Sequence, residues 1–213
     1  NGHTVGNLLL TAMGNMTGNM SDGIESLGKI LNLKGKVLPL TEDNSITLMG
    51  EMTDGTIVEG EHNITKENKK IKRVFYKNDP VVSRDAIKAI KDADLIILSM
   101  GSIYTSIIPN LICKEIIKAI DSSKANIMYV CNIVTQPGET DDFKASDHVN
   151  VLNSYLGKKK ISTVIANHGQ IPEEMIKKYW KKEQKSPVLL DKENLRNVKL
   201  IDKDYVAVVD NVI

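Results

Sequence analysis

The chain has 213 residues, a formal net charge of +1, 41% hydrophobic residues and only 4% aromatics. That balance argues against a nucleic-acid or anionic-membrane surface as partner, and it suffices for a globular core built from Ile, Leu, Val and Met. No run reaches the roughly 18 apolar residues of a membrane span, and no signal peptide is visible. Cys113 and Cys131 lie in apolar contexts and read as buried thiols in a reducing compartment. The length fits one large domain or one domain with an insertion.

In chain order, residues 7–16 predict a helix, with Leu8, Leu9, Leu10 and Met13 on an apolar face. A second helix is predicted over 21–31, capped by Ser21 or Asp22, with Glu25 near its first turn. Residues 34–40 read as a turn and a short strand. Between 46 and 77 the pattern becomes antiparallel. An alternating run at 46–52, an Asp54-Gly55 turn and a second run at 56–61 predict a β-hairpin, and 71–76 adds a third strand.

Beyond Pro80, helices and strands alternate. Helices are predicted over 83–91, with Ser83 as cap, and over 109–120, with Pro109 in the first turn. Two more are predicted over 147–156, behind an Asp147 cap, and over 172–180. Strands are predicted at 95–98, which reads as buried, and at 127–130, 161–166, 188–190, 198–201 and 206–209. Strands separated by helices indicate βαβ units and a mainly parallel sheet.

Two of these strands empty into polar loops. In residues 99–106, Gly101 permits close backbone approach, and Ser102, Thr105 and Ser106 offer hydroxyls. The helix start that follows presents free N–H groups and a positive dipole end, which together attract an anion. The competing reading is a strand-to-helix turn with a Ser or Thr cap. The second loop, 131–140, carries Asn132, Thr135, Gln136, Glu139 and Thr140 around Pro137-Gly138. Its amides and hydroxyls suit a uracil edge or sugar hydroxyls, although Pro-Gly also makes an ordinary type II turn. Ligands of open α/β sheets sit beyond the carboxyl ends of the strands. Two such loops therefore form a rim suited to a phosphorylated or sugar-bearing ligand.

Gly6 and Asn7, before a helix, read as a further anion-binding turn or a simple cap. His3 reads as a phosphate contact or a surface histidine. Asn167-His168-Gly169 ends a strand and can face the pocket. His62 reads as exposed, and His148 follows the Asp147 cap without an assigned role. No cluster has zinc spacing, and neither a Gly-x-Ser-x-Gly elbow nor a GxxxxGKS/T phosphate loop appears. No metal site and no catalytic residue is assigned. The lysines at 158–160 and 177–182 read as solvated faces.

In combination and in this order, GH-x-x-GNLLL (2–10), GSIYTSIIPNLI (101–112), YVCN (129–132) and TQPGET (135–140) resemble the YvcK branch of the YvcK/CofD-like family, whose members are called gluconeogenesis factors. The resemblance runs from Gly2 to roughly Leu190. It implies a Rossmann-like three-layer α/β/α sandwich with a mainly parallel sheet and a small antiparallel elaboration near 46–77. It implies a cytoplasmic bacterial protein that binds a UDP-sugar such as UDP-N-acetylglucosamine as ligand, with no cofactor. The implied role is in carbon metabolism and gluconeogenic growth, cell shape and cell-envelope precursor supply, with no established catalysis. Carried onto this sequence, the ligand-binding set is His3, Gly6, Asn7, Gly101, Ser102, Tyr104, Thr105, Ser106, Asn132, Thr135, Gln136, Asn167 and Tyr179. For Tyr179 the competing explanation is a buried aromatic on its helix.

The sister branch, the 2-phospho-L-lactate transferase of deazaflavin cofactor synthesis, is the alternative. Its first loop is similar to Ser-Asn-Pro followed by Ser-Ile, where this chain has Gly101-Ser102-Ile103. Ser99-Met100 departs from the Gly-Pro common in the regulatory branch. Family members also carry a Gly-rich strand-turn-helix before the matched region and an Arg-His-Asp stretch after it. The chain is accordingly expected to form a single α/β domain over 1–213 that lacks both. A homo-oligomer and a cell-wall regulatory partner stay open; a nucleic-acid partner is not expected.

Overall fold

The structure, a computed structural model, describes residues 4–43, 45–67 and 69–207. Thr4 opens α1 (Val5–Thr17) by accepting the Asn7 N–H on its Oγ1 at 3.3 Å, and Gly18 ends that helix at φ 88°. This left-handed turn leaves one residue before α2 (Met20–Ile30). The cap therefore falls to Asn19, whose side chain accepts the Asp22 N–H at 2.8 Å, rather than to Ser21 or Asp22. The two helices cross closely, since a Cβ on Gly23 would stand 2.7 Å from the Gly14 backbone nitrogen. The apolar face expected on α1 is not buried: Leu8 is 56% and Leu9 46% exposed. Residues 34–40 form no strand, and Thr41 makes only an isolated bridge to Val82.

The antiparallel unit forms as its alternation predicts. Strands β1 (Leu48–Met52), β2 (Ile57–Glu59) and β3 (Ile71–Tyr76) lie in the order β2-β1-β3. At the hairpin turn Gly55 takes φ 86° and the Asp54 carboxylate accepts the Thr56 N–H at 2.9 Å. Between β2 and β3 lies an unforeseen short helix, α3 (Glu61–Lys66). Its Ile64 presses on Gly50, where a Cβ would meet Ile64 Cγ1 at 3.0 Å.

The remaining α-helices and strands are α4 (Arg84–Asp92), β4 (Leu95–Leu98), α5 (Ile108–Leu111), α6 (Lys114–Ser122), β5 (Asn126–Val130), α7 (Ala145–Tyr155), β6 (Ile161–Asn167), α8 (Glu173–Glu183) and β7 (Lys199–Lys203). Ser83 caps α4 as expected. The four strands form one parallel sheet in the order β4-β5-β6-β7, with Leu98 beside Tyr129 and Tyr129 beside Val164. Leu98, Ile127, Tyr129 and Val164 enter the main core. The antiparallel unit is tied to this half by two tyrosines. Tyr155 accepts the Val74 N–H at 3.1 Å, and Tyr76 donates to the Pro109 carbonyl at 3.0 Å.

Several expectations are corrected. Among the described residues the 95–98 strand is not buried: it is the outermost strand of its sheet, with Leu95 42% and Ile97 53% exposed. The helix expected over 109–120 begins earlier and breaks in the middle. A π-helical turn (Ile103–Ile107) runs into α5, and α6 starts afresh after Cys113. Asp147 lies within the first turn of α7, where its carboxylate accepts the Lys144 N–H at 2.9 Å. The 188–190 segment is no strand; Pro187 and Leu189 make isolated bridges to Val134 and Lys144. Proline cannot donate to a ladder, which limits pairing there. Val206 and Ala207 lie outside any strand, and 208–209 lie outside the described residues.

Candidate functional site

The parallel register brings the ends of β4, β5 and β6 side by side, and their loops meet there. Loop 99–107 turns sharply at Gly101, whose N–H donates to the Ser99 carbonyl at 2.9 Å. It then winds into the π turn, where the Ile107 N–H reaches back five residues to Ser102 at 3.0 Å. Such turns occur often at functional sites. A Cβ on Gly101 would stand 3.2 Å from Ser106 Cβ, so glycine keeps this turn tight.

The start of the π turn is already occupied by an anion from the protein itself. Glu139, only 5% exposed, accepts the Tyr104 N–H at 3.0 Å, the Ser102 hydroxyl at 2.5 Å and the Thr105 hydroxyl at 2.9 Å. The Thr65 hydroxyl of α3 adds a longer contact at 3.3 Å. One carboxylate thus joins the loops after β4 and β5 to the antiparallel unit. A buried carboxylate needs such donors to offset its desolvation. Tyr104 and Thr105 are buried, and burial pushes the Tyr104 hydroxyl up to about 12.

A second set of bonds joins the same loops. The Asn132 side-chain amide donates to the Gly101 carbonyl at 3.0 Å, and its oxygen accepts the Tyr129 hydroxyl at 2.9 Å. Behind Tyr129 stands His148 of α7, with Nδ1 2.8 Å from the hydroxyl. Both side chains are fully buried. Burial lowers the His148 pKa to about 4 and raises that of Tyr129. Cys131, beside them, is buried and held up to about 12 by desolvation, so its thiol is inert.

The rest of the 131–140 loop is fixed by its threonine hydroxyls and backbone. Thr135, 2% exposed, takes the Ser186 N–H on its hydroxyl at 3.0 Å. The Gln136 N–H donates to Thr140 Oγ1 at 2.8 Å, leaving the Gln136 side chain half-buried at the rim. At the end of β6, the Asn167 oxygen accepts the N–H groups of Gly169 and Tyr205, at 3.2 and 2.9 Å. Asn167 also lines a cavity of about 410 Å³ together with Ile133, His168, Ile176, Leu190 and Lys192. At one edge of the cavity Asp202 bridges His168 Nδ1 at 2.9 Å and Lys192 Nζ at 2.5 Å. Lys192 and His168 together hold the Asp202 carboxyl below its usual range.

The structure therefore unites Gly101, Ser102, Thr105 and Asn132 in bonded contact, with Tyr104, Ser106, Thr135 and Gln136 in the same two loops. Asn167 borders the cavity beyond them. Tyr179 is half-buried on α8, one turn after the cavity residue Ile176. Gly6 and Asn7 are not brought to this rim by any hydrogen bond among the described residues. They lie in the first turn of α1, which packs on α2. His3 lies outside the described residues. The inward turn of Glu139 and the role of His148 were not foreseen. The available signal for His148 was its place on the 145, 148, 149, 152 stripe, which is buried throughout.

Residues 1–206 match the family model described as 2-phospho-L-lactate transferase CofD. The gluconeogenesis factor of Halalkalibacterium halodurans is 42% identical, with the alignment covering 100% of this chain and 66% of that protein. The gluconeogenesis factor of Bacillus subtilis is 41% identical, covering 99% of this chain and 66% of the relative. A crystal structure of a UPF0052 family member from Bacillus halodurans matches at a TM-score of 0.92 and 42% identity, over 100% of this chain and 69% of that one. The chain thus spans about two thirds of the length of the curated relatives it matches.

Proposed function

The chain belongs to the CofD family, in the branch of the gluconeogenesis factors, and on that premise we propose that it is a UDP-sugar-binding regulatory protein of the UDP-N-acetylglucosamine class. One observation carries this reading: two polar strand-end loops are locked together by the Asn132–Gly101 bond, and the second of them, through Ile133, lines a cavity of about 410 Å³. Ligand sites of α/β folds form where strand-end loops meet such cavities. Ser106 offers the exposed hydroxyl of the first loop, and Gly101, with its N–H and carbonyl both bonded within the protein, shapes the turn. Gln136 orients base or sugar, joined by Asn132 and Asn167 through the second amide hydrogen that their bonds within the protein leave over, and Tyr179 follows the cavity residue Ile176 by one turn of α8. Ser102, Thr105 and Thr135 hold the loops through their hydroxyls, and Tyr104 through its backbone N–H. A phosphate at the π-turn start would have to displace Glu139. The bound state serves carbon metabolism, cell shape and envelope precursor supply in the cytoplasm, and is read by a cell-wall regulatory partner.

The rival reading is transfer of 2-phospho-L-lactate, favoured by the description of the matching family model. Thermal melting of the full-length protein with UDP-N-acetylglucosamine, alongside an assay for turnover of nucleotide-activated lactate, separates the two. The proposal expects stabilisation by the UDP-sugar, reduced in Asn132→Ala and Gln136→Ala, and no turnover. Turnover without UDP-sugar stabilisation would establish the rival.

A further inference from the structure

The hydrogen bonds behind Asn132 have a direction, and that direction can be deduced. The Gly101 carbonyl can only accept, so Asn132 must turn its NH2 group towards it, 3.0 Å away. The Asn132 oxygen therefore faces the Tyr129 hydroxyl at 2.9 Å and takes its single proton. The hydroxyl oxygen is left to accept from His148 Nδ1 at 2.8 Å. The proton of the neutral imidazole thus sits on Nδ1, and Nε2 is a bare lone pair. Nε2 is buried and has no hydrogen-bond partner among the described residues. The ring meets the edge of Phe143, with centroids 5.6 Å apart and planes at 70°. A position chosen for packing alone would be better filled by an apolar side chain, which leaves no unpaired nitrogen.

We propose that His148 and Tyr129 are positioning residues for the strand-end site: they orient Asn132, and through it the Gly101 turn, by a hydrogen-bond chain that permits one tautomer of His148. The chain starts on α7 in the core and ends at the rim, so it transmits the rigidity of packed core to a loop. Neither residue touches the ligand. Their effect is on the geometry that the ligand meets. Asparagine at 148 can place an amide nitrogen near the position of Nδ1, whereas leucine cannot donate at all.

The test uses full-length protein. Nitrogen-15 NMR of the His148 ring should show Nδ1 protonated and Nε2 bare; the opposite tautomer overturns the proposal. The affinity measurement rests on the UDP-sugar reading. Titrated with UDP-N-acetylglucosamine well below their melting temperatures, His148→Leu and Tyr129→Phe should bind about tenfold more weakly, about 1.4 kcal/mol. His148→Asn should bind nearly as the parent does. Parental affinity in all three variants, with melting temperature alone reduced, means that both residues only fill the core, and the proposal fails. If the parent itself binds no UDP-sugar, the proposed function fails, and the chain is judged by amide exchange at residues 101–106. That exchange should quicken in His148→Leu and be restored in His148→Asn; unchanged exchange overturns the proposal.

Discussion

Glu139 shows how a single side chain can redirect the meaning of a motif. As part of the 135–140 string it is legible as a polar loop residue, but the direction of its carboxylate is not. That direction depends on the π turn, which places the Tyr104 N–H and two hydroxyls around one point. In Glu139→Gln, an NH2 group would confront groups that all donate to the carboxylate. The variant should be less stable by about 2–3 kcal/mol in urea denaturation, with faster proteolysis at 99–107. His148 gives a pH-dependent counterpart. Burial holds its pKa at about 4 in the folded state, against an ordinary value near 6.5. Between these values the unfolded chain takes up a proton that the folded chain refuses. The stability from keeping the ring neutral is therefore complete above about pH 6.5 and falls as pH drops towards 4, by up to about 3 kcal/mol. Urea midpoints at pH 7 and 4.5 should drop further for the parent than for His148→Asn.

Elements set by a local signal are legible in the sequence, and elements set by their neighbours are not. The hairpin was legible because Asp54-Gly55 marks the turn between two alternating runs. Helix α4 was legible because Ser83 caps an amphipathic stretch. Helix α3 carries no such signal, since its six residues are too few to display a helical period. The apolar run of β4 resembles a strand covered on both faces, and only the sheet order reveals that it is an edge. Of the lysines at 158–160, read as solvent-facing, Lys158 and Lys160 are exposed, whereas Lys159 is half-buried and donates to the Ala125 carbonyl at 2.8 Å. The α1–α2 crossing was invisible in sequence because glycine at 14 and 23 matters only once the helices touch. Gly23→Ala should force them apart, with a loss of about 1–3 kcal/mol in thermal melting. Gly28→Ala, on the same helix, meets only Leu33 Cδ1 at 3.7 Å and should be neutral or stabilising by up to about 1 kcal/mol.

At the scale of the molecule, the parallel sheet sets three loops side by side, and the antiparallel unit reaches them through Thr65 and Glu139. The strand-end location of the candidate site followed from helix–strand alternation. Its division into outward rim groups and inward clamps did not, because both kinds are spelled with the same hydroxyls and amides. The relatives are named gluconeogenesis factors, and the UDP-sugar ligand is a proposal that rests on the strand-end loops. Because the chain spans 66% of those relatives, the full-length protein is the proper object of the decisive measurement. That measurement is a calorimetric titration with UDP-N-acetylglucosamine, paired with melting curves across the same concentrations. Saturable heat is predicted, with stabilisation approaching about 2.7 kcal/mol at a hundredfold excess over Kd. An absence of heat together with an unmoved melting temperature would contradict UDP-sugar binding.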